Sequence, residues 1–170
     1  MRHPALTALA ILVSLLTAML AAPRLAAAQA GPSSATPTEI AYLSATQPFR
    51  DRFTLYQQAL VEYQQAASQG KLDAVAQSDL ADLTRELFAA KRAFNEALPS
   101  ARLDQYDRTV KLALDRASQA AVMLLHAQVT DSPSEREALI KDAAAYTANS
   151  GRLIKEAQDT LNALLPGAAS

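Results

Sequence analysis

The chain has 170 residues, of which 16 are Lys or Arg and 17 are Asp or Glu, and 50% of the residues are hydrophobic. Cysteine is absent, which excludes disulfides, thiolate metal sites, a cysteine nucleophile and covalently attached haem. Basic side chains are scattered among acidic ones instead of forming a stripe, so we expect no nucleic-acid binding. The length fits a single domain of ordinary size.

Residues 1–30 have the order of a secretory signal peptide. A short basic start leads into the apolar run Ala5–Ala22, and a tract of small residues follows. We expect cleavage after Ala30, and Ala28 ends a second A-x-A site. The alternative is a retained membrane anchor, because the apolar run is close to the ~20 residues that cross a bilayer. The sequence therefore predicts export to the periplasm, the cell envelope or the extracellular space.

A flexible leader and one short helix are expected over residues 31–47. Gly31–Pro37 is rich in Ser, Thr, Pro and Gly, a composition that cannot bury a face. The sequence TPTE at 36–39 fits a capping box with Pro at the first helical position, which predicts a helix over Thr38–Thr46. Pro48 is expected to interrupt or kink that helix, since proline lacks the N–H of a helical hydrogen bond.

An apolar spacing that alternates four and three recurs in four segments between residues 48 and 165, which predicts four amphipathic helices. Gly70, Pro99 and the pair Asp131–Ser132 separate the segments. The expected inward positions are Phe49, Phe53, Tyr56, Leu60, Tyr63 and Ala67; Ala76, Leu80, Leu83, Leu87, Ala90, Phe94 and Ala97; Leu103, Tyr106, Val110, Ala113, Ala117, Ala120 and Leu124; and Leu139, Ala143, Tyr146, Ser150, Leu153, Ala157, Thr160 and Leu164.

The third segment is the least polar after the signal, so we expect it to touch the most neighbours. Its additional apolar positions widen the inward stripe, and they are Leu112, Leu114, Ala121, Val122, Met123 and Leu125.

This spacing packs helices at about 20°, and short connections make consecutive helices antiparallel. We therefore expect an all-α fold, an antiparallel up-down-up-down four-helix bundle over residues 48–165, followed by a disordered tail at 166–170. In the alternative arrangement the hairpins open and pair between two chains. The protein is accordingly expected to be a monomer or a homodimer.

Met123 and His126 are the one methionine and the one histidine after residue 30. Because they lie three apart on one helix, they point the same way and cannot occupy opposite faces of a haem iron. A carboxylate-bridged di-metal site needs Glu-x-x-His motifs on two helices, which one histidine cannot supply. We therefore predict no cofactor and no metal, and interpret both side chains as helix packing or a solvated helix edge.

The remaining polar residues suggest no catalytic site. Asp79 and Asp82 are interpreted as favourable partners of a helix dipole, and Ser132 and Ser150 as a cap and a small core residue. Gly151 follows Ser150 within a strong helix-forming run, which predicts a slight kink or a close helix approach. No catalytic, cofactor-binding or metal-ligating residue is assigned.

Five tyrosines carry the remaining polar aromatic groups. We expect core positions with hydroxyls that reach the edge, or a contact surface if several are exposed together. They are Tyr42, Tyr56, Tyr63, Tyr106 and Tyr146.

The expected function is non-enzymatic: an exported interaction module whose charged outer faces meet an unknown protein partner. The first alternative is a carrier or sensor of a small apolar ligand held between helices. The second is a membrane-anchored helical spacer, which applies if the signal segment is retained.

Overall fold

A computed structural model of the protein describes residues 34–166, which are helical apart from short connections. Five helices follow one another within a unit that begins at Ala35. The expected all-helical bundle is confirmed, and no strand occurs between residues 34 and 166. The predicted signal peptide, residues 31–33 of the leader and 167–170 of the tail lie outside the described residues. The helices are α1 Pro37–Arg50, α2 Phe53–Ser68, α3 Ala74–Glu96, α4 Asp104–Val129 and α5 Pro133–Leu164.

Helix α1 begins with the predicted capping box and is longer than the predicted Thr38–Thr46. The backbone N–H of Glu39 donates to Oγ1 of Thr36 at 3.3 Å, and the Thr36 N–H donates to Oε2 of Glu39 at 2.7 Å. The helix continues through Pro48 and ends two residues later at Arg50, so the interruption falls just after the proline. The break falls at Asp51 and Arg52, which separate α1 from α2.

Helix α1 also belongs to the core, where a leader and a short helix were expected at 31–47. Tyr42 and Leu43 are buried with residues of the later helices. The Tyr42 ring meets Phe94 edge-on at 6.2 Å between centroids and Tyr106 at 6.4 Å. A fifth helix therefore closes part of the bundle.

Helix α4 is the centre of the packing, as its low polarity predicted, and it contacts α2, α3 and α5. Every inward position predicted from Leu103 to Leu124 is buried. Of the additional apolar positions, Leu114 and Ala121 are buried, whereas Leu112 and Val122 are exposed. The apolar stripe of α4 is therefore wider than its buried face, and part of it is exposed to solvent.

Helix α5 shows a register that differs from the predicted series. Thr147 and Leu161 are buried, whereas the predicted Tyr146 and Thr160 are only half-buried. The predicted alternation placed the stripe one residue too early at these two points. Tyr146 instead lies at the helix edge, where the Arg116 guanidinium stands 5.4 Å from its ring centroid.

Side chains cap the starts of α1, α3 and α5, and a buried polar contact joins α2, α4 and α5. Ser132 caps α5 as predicted, by accepting the Glu135 N–H at 3.3 Å. Ser150 is buried and donates to the Ala113 carbonyl at 2.9 Å, and it accepts from Nε2 of Gln57 at 2.7 Å. These bonds satisfy a polar side chain inside the bundle.

A side chain of α2 lies close to Gly151, while the predicted kink or close approach of the helices themselves stays a prediction. A Cβ added at that position would lie 3.2 Å from Oε1 of Gln57, tighter than an ordinary contact. The absence of a side chain at 151 therefore leaves room for the Gln57 amide that bonds to Ser150.

Candidate functional site

Met123 and His126 lie on α4 as half-buried and exposed side chains, respectively. Among residues 34–166 no group of three or more His, Cys, Asp or Glu side chains could hold a metal ion. None of the described helices is long and apolar enough to cross a membrane.

Two exposed apolar side chains line one groove where α3 and α4 lie side by side. Phe88 of α3 is 47% exposed and Val122 of α4 is 45% exposed. Together with the half-buried Met123 they line a groove of about 200 Å³. We call Phe88, Val122 and Met123 the α3–α4 surface.

Polar groups border the α3–α4 surface and fix its geometry. Nζ of Lys91 lies 2.5 Å from Oδ1 of Asp115, so this ion pair joins the two helices. Nε2 of Gln119 donates to the other carboxylate oxygen of Asp115 at 3.3 Å. An apolar centre with a polar edge is the usual anatomy of a protein contact site.

A second groove, of about 220 Å³, lies between α2 and α3 and is acidic. We call it the α2–α3 groove. Its carboxylates are Asp79, Asp82 and Glu86 of α3, against one basic group, Arg52. Apolar side chains form the rest of its wall, and they are Leu55, Ala59 and Leu83, together with the ring of Tyr56.

Tyr56 is the buried polar residue of the α2–α3 groove. The side chain is 3% exposed, and its hydroxyl has no hydrogen-bond partner among the described residues. Burial raises the pKa of the hydroxyl above its ordinary value; the charge of Arg52 acts to lower it and that of Glu86 to raise it. The hydroxyl therefore lies within the electrostatic reach of two charged residues that line the groove.

Arg52 occupies part of this acidic environment. Its guanidinium carbon stands 5.5 Å from the centroid of the Tyr56 ring, and its Nη2 lies 2.9 Å from Oε2 of Glu86. The Arg52 side chain is 48% exposed, so solvent reaches it and it is free to change rotamer. Asp82 pairs with Arg85, which is exposed at the helix surface.

The interpretation of Asp79 and Asp82 as dipole partners does not fit the structure. Helix α3 starts at Ala74 and is capped by Asp73, which accepts the Ala76 N–H at 2.8 Å. Asp79 thus lies beyond the first turn, where the dipole effect has faded. An acidic face of α3 could have been predicted from the sequence, because the helical spacing of Asp79, Asp82 and Glu86 places all three side chains on one face.

A third groove, of about 590 Å³, lies between α2 and α5. Ala67, Ile140 and Ala144 supply apolar lining, while Arg136 and Lys141 are charged groups at its border. Arg136 is engaged with the backbone, since its Nη2 donates to the Thr130 carbonyl at 2.8 Å.

Most of the tyrosines do not form a contact surface. Tyr42, Tyr56 and Tyr106 are buried, whereas Tyr63 and Tyr146 are half-buried. The exposed aromatic group on the α3–α4 surface is Phe88, which the predicted inward series did not include. No family model, curated protein or solved structure matches the chain.

Proposed function

We propose that the protein is an exported, non-enzymatic interaction module that binds a protein partner through the α3–α4 surface. The observation that carries this proposal is the exposure of Phe88 and Val122 together in one groove, outside the buried core cluster. Aromatic side chains are enriched at binding hot spots, and contiguous exposed apolar groups mark interaction sites.

The energetics favour a partner that covers Phe88. Fully burying a Phe side chain contributes roughly 1.5–3 kcal/mol, and about half of this remains available at Phe88, which is 47% exposed. Lys91 and Asp115 are about two-thirds buried already and are paired, so a partner need not desolvate a lone charge at this point.

The proposal includes an antiparallel up-down arrangement of helices α2 to α5. Contacts between α4 and α5 at both ends and in the middle support this arrangement. Arg102, just before α4, donates to the Leu164 carbonyl at the end of α5. Ser150 bonds to Ala113 in the middle, and Nε of Arg136 donates to the Ala127 carbonyl at 3.1 Å. Along these three contacts the residue numbers rise in α4 and fall in α5, as they do when two helices are antiparallel.

Export through a cleaved signal at residues 1–30 is part of the proposal, and the order of basic, apolar and small residues supports it. Mass spectrometry of the mature N-terminus tests it. A chain that begins at Gly31 or Gln29 agrees with cleavage. A chain that retains Ala5–Ala22 favours the membrane-anchored spacer instead.

Crosslinking in intact cells tests the partner. The wild type is compared with the double variant Phe88→Ser, Val122→Ser and with the matched control Leu98→Ser, Val129→Ser, whose residues are exposed outside the α3–α4 surface. We expect one reproducible adduct that the first variant loses and the control keeps. An adduct that survives both variants, or none with any protein, contradicts the proposal.

The second candidate function is a carrier of a small apolar ligand, and the groove between α2 and α5 favours it. Its volume of about 590 Å³ lies within the roughly 300–1,000 Å³ of small-molecule sites. A carrier gains thermal stability from its ligand by mass action, whereas an interaction module does not respond. A screen of apolar compounds by thermal unfolding, repeated with Ala144→Trp to fill the groove, separates the two.

A further inference from the structure

We propose that the α2–α3 groove binds the guanidinium of an arginine side chain of the protein partner. The inference rests on the proposed function and adds the chemistry of a second contact. Three features carry it: the charge of the groove, the buried hydroxyl of a residue that lines it, and a resident guanidinium over the ring of that residue.

The charge of the groove favours a cation. Of its three carboxylates, Glu86 pairs with Arg52 and Asp82 with the exposed Arg85, whereas Asp79 has no ion pair among the described residues. Asp79 and Asp82 are exposed at its border, where an arriving cation reaches them without displacing core residues. The groove thus keeps an excess negative charge that a further cation stabilises.

The Tyr56 hydroxyl supplies the second feature. A buried hydroxyl without a partner costs free energy relative to a bonded one, and the bond to a charged donor is stronger than to a neutral one. A guanidinium group carries several N–H donors, so one ligand cation can satisfy the hydroxyl oxygen and a carboxylate together.

Arg52 shows that the groove accommodates a guanidinium. It stands over the Tyr56 ring and pairs with Glu86, which combines a cation–π contact with an ion pair. Since the Arg52 side chain is half exposed, a partner's basic group can take its place over the ring while Arg52 turns toward solvent.

Size and position select a partner's side chain as the occupant. A volume of about 220 Å³ is below the roughly 300–1,000 Å³ of small-molecule sites and suits one side chain with its aliphatic stem. The groove and the α3–α4 surface flank the same helix, since Glu86 lines one and Phe88 the other. A partner segment that crosses α3 therefore reaches both.

The test is a nuclear magnetic resonance titration of the mature chain with N-acetyl-arginine amide. The control probe is N-acetyl-citrulline amide, which has the same shape without the charge. We expect saturable, salt-sensitive shifts at Tyr56, Asp79 and Asp82 with the arginine probe alone. The double variant Asp79→Asn, Asp82→Asn is expected to weaken binding about fivefold, and Tyr56→Phe about threefold. The matched control Asp131→Asn, Asp142→Asn removes two exposed carboxylates elsewhere and is expected to leave binding unchanged.

Equal shifts with citrulline, no shifts, or full binding by the Asp79→Asn, Asp82→Asn variant overturns the inference. Putrescine binding at least tenfold more tightly than the arginine probe also overturns it, by identifying a free amine as the occupant. A crosslinked partner that persists undiminished in this double variant overturns the inference and leaves the proposed function standing. Probe binding without any crosslinked partner instead contradicts the proposed function.

Discussion

The hydroxyl of Tyr42 donates a 2.9 Å hydrogen bond to Oδ1 of Asp107, which joins α1 to α4 inside the core. The other carboxylate oxygen of Asp107 lies 2.7 Å from Nζ of Lys111. Burial, followed by the charge of Asp107, raises the pKa of the Tyr42 hydroxyl far above its ordinary value, so it remains protonated and keeps donating. This charge-assisted bond between buried side chains helps to fix the first helix against α4.

Replacing Tyr42 by Phe is expected to destabilise the protein by about 1.5–3 kcal/mol, because Asp107 loses a buried hydrogen bond. Urea unfolding followed by circular dichroism measures the change. Tyr56→Phe is the matched control, since it removes a buried hydroxyl that has no partner. That variant is expected to be neutral or more stable by up to about 1 kcal/mol. Equal destabilisation of the two variants would argue against the different roles of their hydroxyls.

Glu39 is expected to make the stability depend on acid pH. The Thr36 N–H holds the pKa of this carboxyl below its ordinary 4.5, helped by Ser100, Thr36 Oγ1 and Arg102 and opposed by burial. A carboxyl whose pKa is lowered by folding contributes stability above the unfolded pKa, and the contribution disappears as pH falls through the folded value. The stability difference between wild type and Glu39→Gln should therefore be full at pH 7 and shrink below pH 4.5. Urea titrations across that range measure it, and a constant difference would count against the assignment.

Gly151 and Gln57 should be energetically coupled. Replacing a glycine by alanine within a helix contributes about 0.8–1 kcal/mol of stability where nothing clashes. At position 151 the new Cβ would press on Oε1 of Gln57, so Gly151→Ala alone is expected to gain less. With Gln57→Ala in the background, the same change should give the full gain. A double-mutant cycle in urea measures the coupling. Additive effects would show that Gln57 moves aside without cost.

Truncation of the two phenylalanines of α3 should destabilise the protein by very different amounts. Phe94 is fully buried and stacks on Phe53 at 6.0 Å, so Phe94→Ala is expected to cost about 3–5 kcal/mol. Phe88→Ala is expected to cost only about 0.7–1.5 kcal/mol, since about half of the side chain is exposed. Thermal unfolding compares them. A large loss with Phe88→Ala would assign this side chain to the core and remove it from the α3–α4 surface.

The fold was predictable where the apolar stripe is wide and regular. The series from Leu103 to Leu124 identified the central helix, because its small and branched residues leave no other face to bury. The register of α5 was not predictable in full, since Ala, Ser and Thr on both candidate faces make neighbouring stripes nearly equal in hydrophobicity. Burial of Thr147 in place of Tyr146 is decided by packing against α4 and α2.

The two candidate surfaces were less accessible to sequence reasoning. Phe88 and Val122 lie on different helices, and only their packing brings them into one groove. Asp79 and Asp82 were visible as a pair, but their relation to Tyr56 depends on how α2 lies against α3. Surfaces made by two helices require the pairing of those helices to be known, which periodicity within one segment does not supply.

Site-specific photo-crosslinking shows whether a protein partner binds at the α3–α4 surface. A photoreactive residue is placed at position 122 on this surface, or at the exposed position 158 of α5 as a control, in cells that make the protein. We expect one discrete adduct from position 122 that Phe88→Ser abolishes, and none from position 158. Adducts from both positions alike, or an adduct from position 122 that Phe88→Ser leaves unchanged, would rule out this surface as the binding site.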